Sequence, residues 1–259
     1  MESSLSHPIL DHALISERYF FPRRAALADA VEVPVSSGML RCWRSAPAND
    51  RPVLVHFHGN GEVVQDWIGD WVNWIQAQGF EVFFAEYRGY GASDGVPQLA
   101  AMLEDVSAIV KAVGVPNHRQ LAFGRSIGSL YAAEMVARFP DTAGLVIESG
   151  ISDLAERLLL RMHPSELGCT QEDLIFAVFE SFNQTQKMAN YKGPALFLHA
   201  ENDHLVGVKH AVANHRAAGG EAKELVLFPF GDHNSIFAAN LPNYLQRLGA
   251  FMERVRDGS

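Results

Sequence analysis

The chain has 259 residues, 48% hydrophobic and 20% charged, which are the proportions of a soluble folded protein with a sizeable core rather than of a disordered one. Its formal charge of −9 repels phosphate backbones and argues against nucleic acid as a partner. Two cysteines, Cys42 and Cys169, stand far apart, fit no metal-binding spacing and make no disulfide framework, so both are expected as reduced thiols. Met1-Glu2-Ser3-Ser4 lacks a basic stretch followed by an apolar one, and no apolar run approaches the roughly 20 residues that span a bilayer. The expectation is a cytoplasmic protein with no integral membrane segment.

Residues 1–30 are mixed in character, and Pro8 and Pro22 break any long helix there. Residues 31–35 and 39–43 flank Ser36-Ser37-Gly38 and read as a β-hairpin. A repeating unit follows. Residues 53–57 form a short apolar run, and 67–77 carry apolar residues at helical spacing. A strand over 82–85, a helix over 99–113, a strand over 121–123 and a helix over 127–139 continue the alternation, with a strand over 145–147. Trp67, Trp71 and Trp74 fall at spacings of four and three and read as one core face of the first of these helices.

The rhythm lapses over 151–191, where Leu154, Leu158 and Leu159 mark one short amphipathic helix and Leu174, Val178 and Phe179 another. It resumes with a strand over 195–199, a helix over 209–217, a strand over 225–228 and a final helix over 236–255. Strands apolar throughout are buried on both faces, and their alternation with helices implies a parallel sheet with crossover connections. The pattern therefore predicts an α/β protein: a mostly parallel central sheet with an antiparallel N-terminal edge and helices on both faces. A single domain over 1–259 with a helical cap insertion over 151–191 is the simplest organisation.

Gly124-Arg125-Ser126-Ile127-Gly128 matches G-x-S-x-G, between a strand and a helix. A sharp strand-to-helix turn exposes its central serine above a helix N-terminus, and small flanking glycines let the two elements approach. A serine hydroxyl is a poor nucleophile at neutral pH and needs a base oriented by a third group. Candidates lie downstream, after later strands: Asp203, in the turn His199-Ala200-Glu201-Asn202-Asp203, and His233, in Phe230-Gly231-Asp232-His233-Asn234. Glu201 is the nearest competing carboxylate and His204 the nearest competing imidazole. His210 and His215 fall on a helix and read as solvated. Acyl transfer also needs backbone N–H groups aimed at the developing oxyanion. Ile127 N–H follows the serine directly. The second donor is expected in the glycine loop His58-Gly59-Asn60-Gly61, at Asn60 or, as an alternative, Gly61. His58 is read as a brace for that loop.

With Tyr87-Arg88-Gly89-Tyr90-Gly91-Ala92-Ser93-Asp94-Gly95 added, these motifs resemble the BEM46-like branch of the α/β-hydrolases over about residues 31–255. The resemblance implies the α/β-hydrolase fold, a Ser126–Asp203–His233 triad, and hydrolysis of an ester, thioester or amide with no metal or organic cofactor. Arg88 and Asp94 read as loop braces. The expected partner is a small-molecule acyl substrate, with a carboxylesterase or thioesterase preferred over a peptidase. Ser126 argues against dehalogenases and epoxide hydrolases of this fold, which place a carboxylate at the elbow. An acyltransferase or a cofactor-free haloperoxidase would keep the same three residues, and a non-catalytic binding protein of this fold usually loses one of them.

Overall fold

Strand residues alternate between faces, so a sheet whose strands are apolar at every position must be covered on both sides. The computed structural model, which describes residues 7–47 and 50–258, shows this arrangement. Residues 1–4, read above for a leader segment, lie outside the described residues. The strands are β1 (Val31–Val35), β2 (Gly38–Arg44), β3 (Val53–Phe57), β4 (Glu81–Ala85), β5 (Gln120–Arg125), β6 (Gly144–Glu148), β7 (Ala195–Ala200) and β8 (Lys223–Phe228). They form one eight-stranded sheet in the order β1-β2-β4-β3-β5-β6-β7-β8. The β1/β2 and β2/β4 pairs are antiparallel and all later pairs parallel, as the hairpin and the α/β alternation predict.

Val53, Val55 and Phe57 point into one core with α3 (Ala101–Val113) and α4 (Gly128–Arg138). Leu54, Phe84 and Phe123 point into the other with α2 (Asp70–Ala77) and α10 (Leu241–Asp257). Every residue of β3, β4 and β5 is buried, which fixes the carboxyl edge of the sheet as a rigid platform for the loops above it.

Three elements depart from the sequence-based reading. The expected 67–77 helix begins only at Asp70, because Gly69 has φ of 134°, outside any helix. Trp67 ends a separate 3₁₀ turn, Val64–Trp67. The three tryptophans are accordingly half-buried rather than core. Trp71 and Trp74 stack with centroids 5.4 Å apart and line a surface groove with Phe237 and Leu241. The final helix is split at Asn240 into α9 (Ile236–Ala239) and α10. Pro242, in the first turn of α10, lacks the N–H that a continuous helix needs and would clash with the preceding turn. The N-terminal stretch contains α1 (Ala13–Tyr19), whose seven residues are too few to show a period and which buries only Ile15 and Tyr19.

Between β6 and β7 lie α5 (Leu154–Leu159), a 3₁₀ turn (Pro164–Leu167), α6 (Gln171–Phe182) and α7 (Gln184–Asn190). Asp153 caps α5 by accepting the Glu156 N–H at 3.0 Å, and Thr170 with Asp173 forms a capping box at the start of α6. Leu174 and Val178 are buried, but Phe179 turns outward. Helices α5 and α6 pack on each other, whereas α7 packs on α4 and on α8 (Lys209–Ala217) and returns the chain to the sheet. His210, read as solvated, is buried: α8 turns it toward the start of this segment, and its Nδ1 lies 2.9 Å from Ser152 Oγ. Cys42 is buried, Cys169 is half-buried, and both are free thiols. Burial pushes the Cys42 thiol up to about 12, so it is inert. Among the described residues no helix is long and apolar enough to cross a membrane.

Candidate active site

β5 ends at Arg125 and α4 starts at Gly128, so the chain must reverse within two residues. Ser126 takes up the turn with φ of 53°, in the left-handed region that costs a non-glycine residue about 1–2 kcal/mol. Its N–H donates to Glu148 O at 2.9 Å, and its carbonyl accepts the Ser129 N–H at 3.0 Å and the Ser129 hydroxyl at 2.6 Å. The two glycines are required by close approach. A Cβ on Gly128 would lie 2.0 Å from Phe57 O, and one on Gly124 would lie 2.6 Å from Gly128 O. Gly128→Ala must push α4 away from β3. It is expected to lower stability by about 3 kcal/mol or more, read from urea unfolding midpoints. A midpoint indistinguishable from wild type would show that the elbow is looser than these contacts require.

The loops after β7 and β8 meet over this turn. His233 Nε2 lies 2.8 Å from Ser126 Oγ, and His233 Nδ1 lies 2.7 Å from Asp203 Oδ2. Asp203 Oδ1 accepts the Leu205 and Val206 N–H groups at 2.9 and 2.7 Å, which locks the carboxylate plane. Burial opposes the charge of Asp203. The His233 hydrogen bond and charge, joined by the Val206 N–H and by His199, outweigh it and hold the carboxyl below its ordinary value. Glu201 and His204 are exposed, and among the described residues the His233 ring is hydrogen-bonded to Asp203 and Ser126 and to neither of them.

Above Ser126, the backbone N–H groups of Asn60 and Ile127 donate to no protein acceptor among the described residues. The Asn60 side chain is committed elsewhere. Its Nδ2 donates to Tyr19 O at 2.5 Å, and its Oδ1 accepts the Phe21 N–H at 2.9 Å and the Tyr90 hydroxyl at 2.7 Å. The loop that carries one candidate oxyanion donor is thus tied to the N-terminal segment.

Several positioning residues carry no motif of their own. Arg125, the variable residue before the serine, donates from Nε to Glu148 Oε1 at 2.9 Å and from Nη2 to His233 O at 2.9 Å. Its Nη1 pairs with Glu62, whose other oxygen accepts the Gly59 N–H at 2.7 Å, and the Tyr244 hydroxyl donates to Glu148. One buried guanidinium therefore ties together the serine turn, the histidine loop and the loop that carries Asn60. The only signal for it in the residue pattern is a charged side chain inside an otherwise small-residue turn. His58 braces the same loop: Nδ1 donates to Gly59 O at 2.8 Å and Nε2 to Glu86 at 2.7 Å. Burial disfavours the charged ring, but Glu86 and the two hydrogen bonds raise its pKa above the ordinary histidine value. Arg88 pairs bidentately with Asp105 at 2.6 and 2.7 Å, and Asp94 accepts the Met39 N–H at 3.0 Å, so both act as loop braces.

A cavity of about 190 Å³ opens directly onto Ser126 and His233. Tyr19 and Phe21 wall it from the N-terminal segment, Arg157 and Arg161 from α5 and the turn after it, and Leu205 and Val206 from the loop after β7. Burial pushes the Tyr19 phenol up to about 12, against the pull of the neighbouring Arg157 and Arg161 charges. Ser126 keeps 8% of its surface exposed, toward this space.

Residues 48–172 match the serine aminopeptidase (S33) family, a span that contains the Asn60 loop and Ser126 and stops short of Asp203 and His233. The uncharacterized protein YfhR of Escherichia coli (strain K12) is 27% identical over 226 residues, covering 82% of this chain and 75% of that protein. The α/β-hydrolase domain-containing protein aho-3 of Caenorhabditis elegans is 26% identical over 256 residues, covering 93% and 71%. Among solved structures, the esterase Pf2001 of Pyrococcus furiosus superposes with a TM-score of 0.69 at 16% identity, covering 90% of this chain and 99% of that one. The fold is the α/β-hydrolase fold, and the chain is a member of the α/β-hydrolase superfamily.

Proposed function

We propose that the protein is a serine hydrolase that cleaves an ester or thioester of a small to medium acyl group through a covalent acyl-enzyme. The observation that carries this reading is the unbroken chain from Ser126 Oγ through His233 to Asp203, at 2.8 and 2.7 Å. Distances of this kind are those of a nucleophile and its base, with the base oriented by a third group. His233 takes the Ser126 proton as Oγ attacks the acyl carbon. The carbonyl oxygen becomes negative against the Asn60 and Ile127 N–H groups. His233 then gives the proton to the departing alcohol or thiol. Water, deprotonated by the same ring, releases the acid and restores Ser126.

The cavity favours short chains, since about 190 Å³ falls below the roughly 300–1,000 Å³ of pockets for drug-sized ligands. A series of p-nitrophenyl esters tests this: kcat/KM is expected to peak between acetate and hexanoate and to fall for dodecanoate and longer. A rising trend to long chains would overturn the size reading.

The aminopeptidase match favours a second reading, release of an N-terminal residue by the same machinery. An N-terminal ammonium calls for a carboxylate in the binding space. None lines the cavity among the described residues, which is why we prefer ester cleavage. Aminoacyl p-nitroanilides turned over faster than the matched esters would reverse that preference.

A further inference from the structure

The charge of the cavity runs against that of the whole chain. The protein has 30 acidic and 21 basic residues, yet the cavity lining holds three arginines and, among the described residues, no carboxylate. Arg125 is neutralised by Glu62 and Glu148. Arg157 and Arg161 are not. Neither makes an ion pair among the described residues, although Arg18, Arg23, Arg41, Arg44, Arg88 and Arg138 all do. The carboxylate next to Arg157 in sequence, Glu156, is taken by Lys209 at 2.6 Å.

Arg161 is also held in place. Its guanidinium lies 5.3 Å from the Phe21 ring centroid and 5.8 Å from that of Tyr19, and it donates to Arg18 O at 3.4 Å. Stacking of this kind uses the face of the guanidinium and leaves its edge N–H groups for an acceptor. Arg157 and Arg161 are four residues apart, so the helix and the turn that continues it bring both to the same mouth.

We infer that Arg157 and Arg161 select acyl substrates that carry an oxyanion, a carboxylate or a phosphate, away from the scissile bond. The inference rests on the serine-hydrolase reading of the same cavity. Two planar forks without carboxylate partners, facing a half-enclosed space, match the edge of an oxyacid group and are the residue type that binds it bidentately. They also repel an ammonium, in keeping with the preference for ester over peptide.

The test compares kcat/KM for three p-nitrophenyl esters: the adipate monoester, its methyl-capped neutral counterpart, and the 6-phosphonohexanoate. Wild type is expected to favour at least one anionic ester over the neutral one by about tenfold or more, since hydrogen bonds to charged groups are worth about that factor or more. Which anion is preferred distinguishes a carboxylate from a phosphate substrate. Arg157→Gln/Arg161→Gln should reduce the preference about tenfold, mainly through KM, and the corresponding Lys pair should retain part of it. Arg216→Gln, an exposed arginine away from the cavity, should leave it unchanged. Should the Gln pair unfold, added salt supplies a second readout in wild type, because screening weakens the preference if charge is its cause.

An anionic-to-neutral ratio of one or less, with the neutral ester turned over, overturns this inference and leaves the hydrolase reading standing. A preference that survives both the Gln pair and high salt also overturns it. No turnover of any ester, together with no phosphonate labelling of Ser126, overturns the hydrolase reading and this inference with it.

Discussion

Ser126→Ala is expected to lower kcat on a p-nitrophenyl butyrate assay by about a millionfold, the loss seen when the nucleophile of a comparable triad is removed. The expectation follows from geometry. Ser126 Oγ is the atom in hydrogen-bond reach of His233 Nε2 that also faces the cavity, so no neighbouring hydroxyl stands ready to replace it. Ser129, the nearest serine in the turn, is buried and spends its hydroxyl on Ser126 O at 2.6 Å. The fold should survive, because one neutral hydrogen bond contributes only about 1 kcal/mol and alanine suits the same backbone as poorly as serine does. Initial rates alongside thermal unfolding separate the two effects. A folded variant with wild-type turnover sinks the assignment of Ser126.

The second large effect is at the acid. Asp203→Asn should cut kcat by about ten-thousandfold while leaving KM close to wild type. Asp203 Oδ2 accepts from His233 Nδ1 at 2.7 Å, so in the native site the ring carries its proton on that side and offers a bare Nε2 to Ser126. An amide nitrogen in place of Oδ2 donates instead of accepting. It moves the ring proton to Nε2, where the base no longer accepts from serine. The two backbone donors on Oδ1, from Leu205 and Val206, hold the amide with its oxygen toward them and its nitrogen toward the ring. Glu201→Gln is the companion measurement, since Glu201 is exposed and the ion pair of His233 is with Asp203. A larger loss there than at Asp203 would transfer the role to Glu201.

Much of this arrangement is legible in the residue order, and the reason is local. Parallel strands buried on both faces are written as apolar runs, and the hairpin at Ser36-Ser37-Gly38 is written as turn residues between two such runs. The glycines of Gly124-Arg125-Ser126-Ile127-Gly128 are demanded by contacts with Phe57 and Gly128 backbone atoms, so the motif records its own packing. Asp203 and His233 stand after strands, at the one sheet edge where loops converge, and this makes their order informative.

What the pattern conceals depends on contacts between distant segments. The helical spacing of Trp67, Trp71 and Trp74 is real, but Gly69 breaks the helix and the indoles line a groove rather than the core. His210 sits on a polar-looking helix, yet it is buried, with Ser152 at the start of the segment between β6 and β7 hydrogen-bonded to it. Arg125, Glu62, Glu148 and Tyr244 come from four separate stretches of the chain and form one network only once β5 and β6 are paired and α10 has docked.

The sequence by itself therefore determined the sheet, the serine turn and the order of the three candidate catalytic residues, because backbone conformation and burial on both faces act on neighbouring residues and leave periods and glycines behind. Only the tertiary structure decided which carboxylate meets the histidine, how Arg125 braces three loops, and that Tyr19, Phe21, Arg157 and Arg161 converge on Ser126. These are matters of distance between segments from about 30 to more than a hundred residues apart, set by how the α1 segment and the helices between β6 and β7 pack beside the sheet edge, and no local propensity encodes them.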